Sequence, residues 1–486
     1  MKLSFEKKCE IGFQYVLDLL EACSCYGSEY IRTLSPYTSQ QRKELDEELD
    51  NIQRIIGVFD DKKGIITKLE YAFMHLKDVR PILNKCRTTS LNEVELFEVK
   101  RYLLTLKDIY PAFCEIKEAS DIYGLDMKEL SEALNIVDPD KTGVPSFYIS
   151  ETCSSKLREI RKEKKNVELL IRSKNGNMDE LMIARTKIAA KEEEEELAVK
   201  ARMSEQLRPY LDDMLFNVDT IRRVDVILAK AKLAVDRNCC RPEIGDSVFV
   251  LEDMINPKIA DNLSEKGKAF TPVSISVQRG ATVITGANMG GKSVALKTTA
   301  LNILLSLCGI FPFAKTAQIV MLDDIYIISE DLESIDRGLS SFGGEILEFN
   351  NVVRKLDSCS MVVLDEFARG TNPDEGAAIV KAATKWLQGK DSYTILSTHY
   401  DGVAEHAGSH YQVIGLKNID FVSLKTEIAC VEDGKSADRI AEHMDYGLYK
   451  VLEKQDCPRD ALNICRLLDL EPEIIELAEK NIDNLI

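Results

Sequence analysis

Three short stretches of this chain carry residues that could handle phosphate, a divalent cation and a water molecule. The first is GANMGGKS at 286–293, which fits the spacing G-x-x-x-x-G-K-S/T. Glycines there let backbone N–H groups curl around an anion without a Cβ in the way, and the start of a helix adds the positive end of its dipole. Gly286, Ala287, Asn288, Met289, Gly290, Gly291, Lys292 and Ser293 are therefore candidate nucleotide-binding residues. Lys292 would reach the β- and γ-phosphates, and the Ser293 hydroxyl would hold Mg²⁺. The second stretch is MVVLDE at 361–366. A buried strand has little use for two carboxylates at its end unless a cation sits there. Asp365 is the candidate Mg²⁺ ligand, directly or through a bound water, and Glu366 the candidate general base for the attacking water. The third is YTILST at 393–398, ending at His399. A histidine at the carboxyl edge of a sheet can hydrogen-bond the γ-phosphate or the attacking water.

The flanking sequence supplies the elements that such groups need. The β-branched run at 281–285 predicts a strand into the loop, and the apolar stretch 294–305 predicts a helix out of it. Between the first two stretches lies LSSFGGE at 339–345, followed by a helical pattern over 346–353. Serine and glycine at a helix start make another anion site. One domain has no evident use for two such sites on the same phosphate. The expectation is a use in trans: Ser340 or Ser341 closes on the γ-phosphate held by a partner subunit, so that the nucleotide joins a dimer.

Taken together, the strings TGANMGGKS, SSFGGE, VVLDEFARGTNPDEG and LSTHY, within residues 250–399, resemble the ATPase domain of the MutS family, a branch of the ABC-type ATPases. The resemblance implies ATP and Mg²⁺ as cofactors and ATP hydrolysis as the reaction, with Lys292, Glu366 and His399 as catalytic residues. It also implies a dimer, with the same chain or with a related MutS-like subunit, in which the loop 369–376 faces the partner. The family stacks adenine on an aromatic residue upstream of the loop. Phe270 is the best match here, with a core phenylalanine as the alternative. The fold class that follows is an α/β P-loop ATPase domain preceded by an all-α lever domain with a long helical hairpin.

Composition is that of a globular chain: 486 residues, 45% hydrophobic and 30% charged. No apolar run is long enough to span a bilayer, so no membrane partner is expected. The N-terminus does not read as a signal peptide, and the 13 cysteines show no CxxC pair, as in reduced cytoplasmic proteins. The net charge of −18 opposes DNA binding unless a local basic patch carries it.

The first 240 residues read as helical. Ser90-x-x-Glu93 and Asp126-x-x-Glu129 carry capping-box spacing, and 131–145 reads as a loop. Two long polar helices, over 151–172 and 178–235, flank an Asn-Gly turn and predict an antiparallel hairpin. Its first arm is basic and its second carries five consecutive glutamates at 192–196. Pairing between the arms is one reading of that pattern, and a grip on DNA or protein at the tip is the other. The expected domains are a helical core at 1–120, lever helices and hairpin at 121–240, the ATPase domain at 241–435, and a helical dimerisation segment at 436–486. The chain is expected to lack the mismatch-reading domain of full-length mismatch-repair MutS proteins and to have a reduced clamp.

Two functions are consistent with these readings. One is an ATPase dimer that closes helical arms on mismatched or branched DNA. The other is a DNA-independent ATPase that remodels a protein, as a reactivase of a cobalamin-dependent aminomutase does. The segment 444–450 and the sequence after it resemble the second branch.

Overall fold

The structure is a computed structural model that describes residues 3–145, 148–174, 176–286, 291–329, 341–356, 359–415, 445–452, 462, 465–466 and 470–483. The side chains of 341, 479 and 481–483 fall outside the description. The chain divides into two compact units. One comprises Met1–Leu20, Leu34–Asp50 and Leu233–Ile486, and the other Glu21–Thr33 and Asn51–Lys232.

The second unit is helical. In its helix Glu93–Ser120, Leu96, Val99, Leu103, Leu106, Ile109 and Phe113 are buried at three- and four-residue spacing. The cap is not the predicted pair. Asn92 accepts from the Glu95 backbone N–H at 2.9 Å, and Glu95 accepts from the Asn92 N–H at 2.8 Å. Ser90/Glu93 and Asn92/Glu95 share one spacing, and only the packed face decides between them. Asp126 and Glu129 also do not cap. Asp126 pairs with Lys117 and Glu129 accepts from the Ser131 hydroxyl at 2.7 Å. The stretch expected as a loop contains the helix Ser131–Val137.

The helices Ser155–Arg172 and Met178–Leu207 run against each other. Arg161 reaches Glu192 at 3.0 Å and Glu196 at 2.8 Å, Lys164 also pairs with Glu192, and Glu168 meets Arg185 at 3.1 Å. The segment expected to be continuous over 178–235 is interrupted. Pro209 sits in a 3₁₀ turn, Arg208–Tyr210, before the helix Leu211–Asp236 starts. A proline ring has no N–H to continue the ladder, which places the break there.

The first unit holds two sheets. Its strands are β1 (Glu243–Gly245), β2 (Val248–Met254), β3 (Val273–Gln278), β4 (Gly280–Thr285), β5 (Thr316–Val320), β6 (Asp324–Ile328), β7 (Ser360–Asp365), β8 (Tyr393–Thr398), β9 (Ser409–Gly415) and β10 (Asp445–Lys450). One sheet has the order β1-β5-β2-β3 and the other β10-β9-β4-β8-β7-β6. In the six-stranded sheet all neighbours are parallel except β10, which runs antiparallel to β9. Every residue of β4 and β8 is buried, and all of β7 but Asp365. Such near-continuous apolar runs belong to central parallel strands covered on both faces.

β8 is inserted between β4 and β7, and its register sets the site. Ser397 stands level with Ile284 on one side and Asp365 on the other. The carboxyl ends of the three strands thus finish together, where ligands of open α/β sheets bind. The helix Lys292–Leu307 follows β4, and Pro373–Gln388 links β7 to β8. The latter starts on Asn372, whose side chain accepts from the Asp374 N–H, with Pro373 in the first turn.

Candidate functional site

Gly286 leaves β4 at φ 151°, and Gly291 stands at φ 88° immediately before the helix Lys292–Leu307. Ala287, Asn288, Met289 and Gly290, between them, lie outside the described residues. Among the described residues no side chain caps this helix start, and uncapped leading N–H groups are what an anion site requires.

The predicted residues from the three strands converge on this point. Lys292 is buried, donates to the Gly286 carbonyl at 2.9 Å, and lies 3.3 Å from Glu366. The Ser293 hydroxyl donates to Asp365 Oδ1 at 2.8 Å, and the Ser397 hydroxyl donates to the same oxygen at 2.7 Å. Ser397 in turn accepts from the Glu366 N–H at 3.0 Å. Lys297, one turn after Ser293, lies 3.8 Å from Asp365 Oδ2 and 3.0 Å from Glu10. Glu366 is held between two cations, Lys292 and Arg369, the latter at 2.8 Å.

The backbone is strained just here. Glu366 has φ 48° and Ala368 φ 60°, in the left-handed region that costs a side chain of order 1–3 kcal/mol. The turn is tied down by Glu345, a buried carboxylate that accepts from the Ala368 N–H at 2.9 Å, and by the Tyr400 hydroxyl, which donates to the Ala368 carbonyl at 3.2 Å.

His399 lies at the end of β8 with its ring 4.4 Å from that of Tyr400. Burial pushes its pKa below the ordinary histidine value, while Glu366 pulls it back upward. The imidazole is therefore neutral at neutral pH. Its Nδ1 is buried without a hydrogen-bond partner among the described residues, a vacancy that a polar group in the site would fill.

Phe270 lines a cavity of about 430 Å³ together with Ile259, Leu263 and Val273, and the same cavity is lined by Gly291, Lys292, Ser293 and Glu366. An apolar pocket thus adjoins the phosphate loop, with Phe270 in it. Ser340 lies outside the described residues, and so does the side chain of Ser341, whose backbone opens the helix Ser341–Lys355.

Sequence reasoning missed Ser397, Lys297, Glu345 and Tyr446. Ser397 and Glu345 lay inside strings already singled out. Lys297 could have been found as a lysine one turn from Ser293 on an otherwise apolar helix. Tyr446, which also lines the cavity, lay in the segment 444–450 but carried no signal for this site, because its place depends on strand pairing.

The donor set suits Mg²⁺: hard oxygens from Ser293 and Asp365 beside a phosphate site, since Mg²⁺ is commonly held by one or two carboxylates plus the phosphates themselves. Among the described residues there is no cluster of three or more His, Cys, Asp or Glu that could hold a metal alone. No described helix is long and apolar enough to cross a membrane.

A parallel sheet with a glycine loop, a helix start and paired acids at its carboxyl edge defines the class of P-loop nucleotide-binding domains. Residues 282–480 match the family model described as MutS domain V, and similarities to known proteins support a MutS-family relationship for that part of the chain. The chain is 25% identical over 388 residues to an Endonuclease MutS2 of Acetivibrio thermocellus, covering 78% of this chain and 45% of that one. It is 33% identical over 239 residues to an Endonuclease MutS2 of Fusobacterium nucleatum, covering 48% and 29%. It is 28% identical over 276 residues to the DNA mismatch repair protein Msh3 of Mus musculus, covering 55% and 25%. The chain spans less than half the length of each of these relatives.

Proposed function

We propose that this chain is an ATP-hydrolysing dimer that couples ATP binding to closure of helical arms on mismatched or branched DNA. The observation that carries the ATPase part is the convergence of Lys292, Ser293, Asp365, Glu366 and Ser397 at the start of one helix. Similarity to the MutS2 and Msh3 proteins supports DNA as the target.

Before ATP arrives, Lys292 is engaged by Glu366 and the Gly286 carbonyl. Phosphates at the loop offer Lys292 a stronger partner and release Glu366 to hold a water. Glu366 then takes a proton from that water as its oxygen attacks the γ-phosphorus, the bond to the β-phosphate oxygen breaks, and ADP leaves. Ser293 and Asp365 would hold Mg²⁺, which would supply positive charge along the phosphates. His399, neutral, offers a hydrogen bond to the γ-phosphate or the water. Ser340 of the partner subunit or Ser341 of the partner subunit closes on the γ-phosphate. Substitution Ser341→Arg is expected to leave ATP binding by one protomer intact and to block ATP-driven dimerisation. Sedimentation showing dimers of that variant with ATP would remove the serines from the interface.

The testing experiment is steady-state ATP turnover with and without duplex, mismatched and branched DNA at two salt concentrations. Stimulation that weakens with salt supports DNA as the target. One observation favours the second reading, remodelling of a protein partner. Arg161, Lys164 and Lys156 of the basic helix are engaged by glutamates of its neighbour, in a chain of net charge −18. Turnover indifferent to every DNA, without loss of the activity itself, would decide for it.

A further inference from the structure

Tyr446 lies far in sequence from every motif of the site, yet it lines the same cavity as Phe270, Lys292 and Ser293. The sheet explains how it gets there. β9 runs parallel to β4, with Gln412 beside Thr285, so both strands finish at the loop edge. β10 returns antiparallel from that edge, starting with Asp445 against Gly415. The register then slips between Asp445 and Leu448. The Gly447 N–H donates to the Asp445 carboxylate at 2.9 Å, closing a tight local turn. Bulges of this kind re-aim a side chain and are frequent beside binding sites. Here the slip spans Tyr446, whose half-buried ring lies against Gly291.

The contact with Gly291 is close enough to constrain the loop's sequence. A Cβ built on Gly291 would stand 2.7 Å from Tyr446 Cδ1, inside any tolerable carbon–carbon distance. Gly291 thus serves twice, for its φ of 88° and for the ring laid against it.

We propose that Tyr446 is a nucleoside-binding residue: with Phe270 it forms an aromatic enclosure for the sugar and base of the nucleotide whose phosphates occupy the loop. The proposal rests on the reading of the cavity as a nucleotide site. Phosphates at the start of the helix leave the nucleoside to extend along the cavity. Its walls there are apolar or aromatic: Ile259, Leu263, Phe270, Val273 and Tyr446. Aromatic faces bind any base by stacking.

The test compares binding of ATP, ADP and inorganic tripolyphosphate to the full chain and its Tyr446→Ala and Tyr446→Phe variants by titration calorimetry. Tyr446→Ala is expected to weaken ATP and ADP about ten-fold or more, the scale of a lost aromatic stack. Tripolyphosphate, which has no nucleoside, should bind that variant as it binds the wild type, and Tyr446→Phe should restore ATP binding. Unchanged ATP binding in Tyr446→Ala overturns the proposal. So does an equal loss for tripolyphosphate, which would mean that the ring only shapes the loop through Gly291. Wild-type protein that binds none of the three overturns the nucleotide reading itself, an outcome distinct from both.

Discussion

Charge is used in opposite ways at the sheet edge and along the helix pair Ser155–Arg172/Met178–Leu207. At the edge, Lys292, Asp365 and Glu366 are mostly buried, crowd into one corner, and rest on a backbone in a disfavoured conformation. Their partners include one another, two serines, Lys297 and Arg369, and among the described residues one histidine nitrogen beside them has no hydrogen-bond partner. Along the helices, Arg161, Lys164, Glu168, Arg185, Glu192 and Glu196 answer each other across the seam on regular backbone. The edge is where the nucleotide is proposed to bind, whereas the charges of the seam meet one another. Buried, strained and partly unsatisfied groups mark chemistry more reliably than charge density does.

Substitutions should separate the two regions by what they change. The largest effect is expected for Glu366→Gln, which keeps shape and removes the base. ATP turnover should fall about 10²–10⁴-fold with ATP binding retained, measured by phosphate release and calorimetry. Turnover near wild type would remove Glu366 from that role. Arg161→Ala should leave turnover per folded molecule unchanged and cost about 1–3 kcal/mol in denaturant unfolding. It strands Glu196 and the Ile149 carbonyl, leaves Glu192 to Lys164 alone, and uncovers the Tyr148 ring 4.2 Å away.

A pH series sharpens the same contrast. Asp138 accepts from the Thr142 and Gly143 N–H groups and pairs with Lys100 at 3.0 Å. Although burial opposes ionisation, these hydrogen bonds and Lys100 hold its pKa down at about 2. Its folded value is depressed, so its contribution is complete above the unfolded value near 4 and lost as pH falls through 2. Roughly 2 kcal/mol should disappear across that window, and Asp138→Asn should flatten the unfolding profile there. The smallest effect is expected for Arg185→Ala. This exposed pair with Glu168 should change stability by less than about 0.5 kcal/mol. A larger loss would mean that the seam is less uniform than its ion pairs suggest.

Much of the edge was legible in the sequence because it is locally encoded. The run at 281–285, the glycines and the apolar helix are contiguous, and each carries its own periodicity. What stayed hidden depends on register between distant segments. Ser397 shares an oxygen of Asp365 only because β8 enters between β4 and β7. Tyr446 reaches Gly291 only because β10 folds back on β9 with a slipped register. Among the helices, the composition of the cap was right but its position was off by two residues. Ser90 and Asn92 offer the same chemistry, and burial of Leu96 and Val99 chooses between them. Pro209, unlike these, was visible and underweighted: it marks the break in a segment of nearly sixty residues that was read as one helix.

The left-handed backbone at Glu366 has a consequence for any attempt to make this protein more heat-resistant. Glycine is the residue that position prefers, and a variant carrying it would shed the conformational penalty now borne at φ 48°. Glycine there would also remove a partner of Lys292 and of Arg369, together with the carboxylate proposed to serve turnover. If the proposed role of Glu366 holds, durability of the backbone and hydrolysis meet at a single residue.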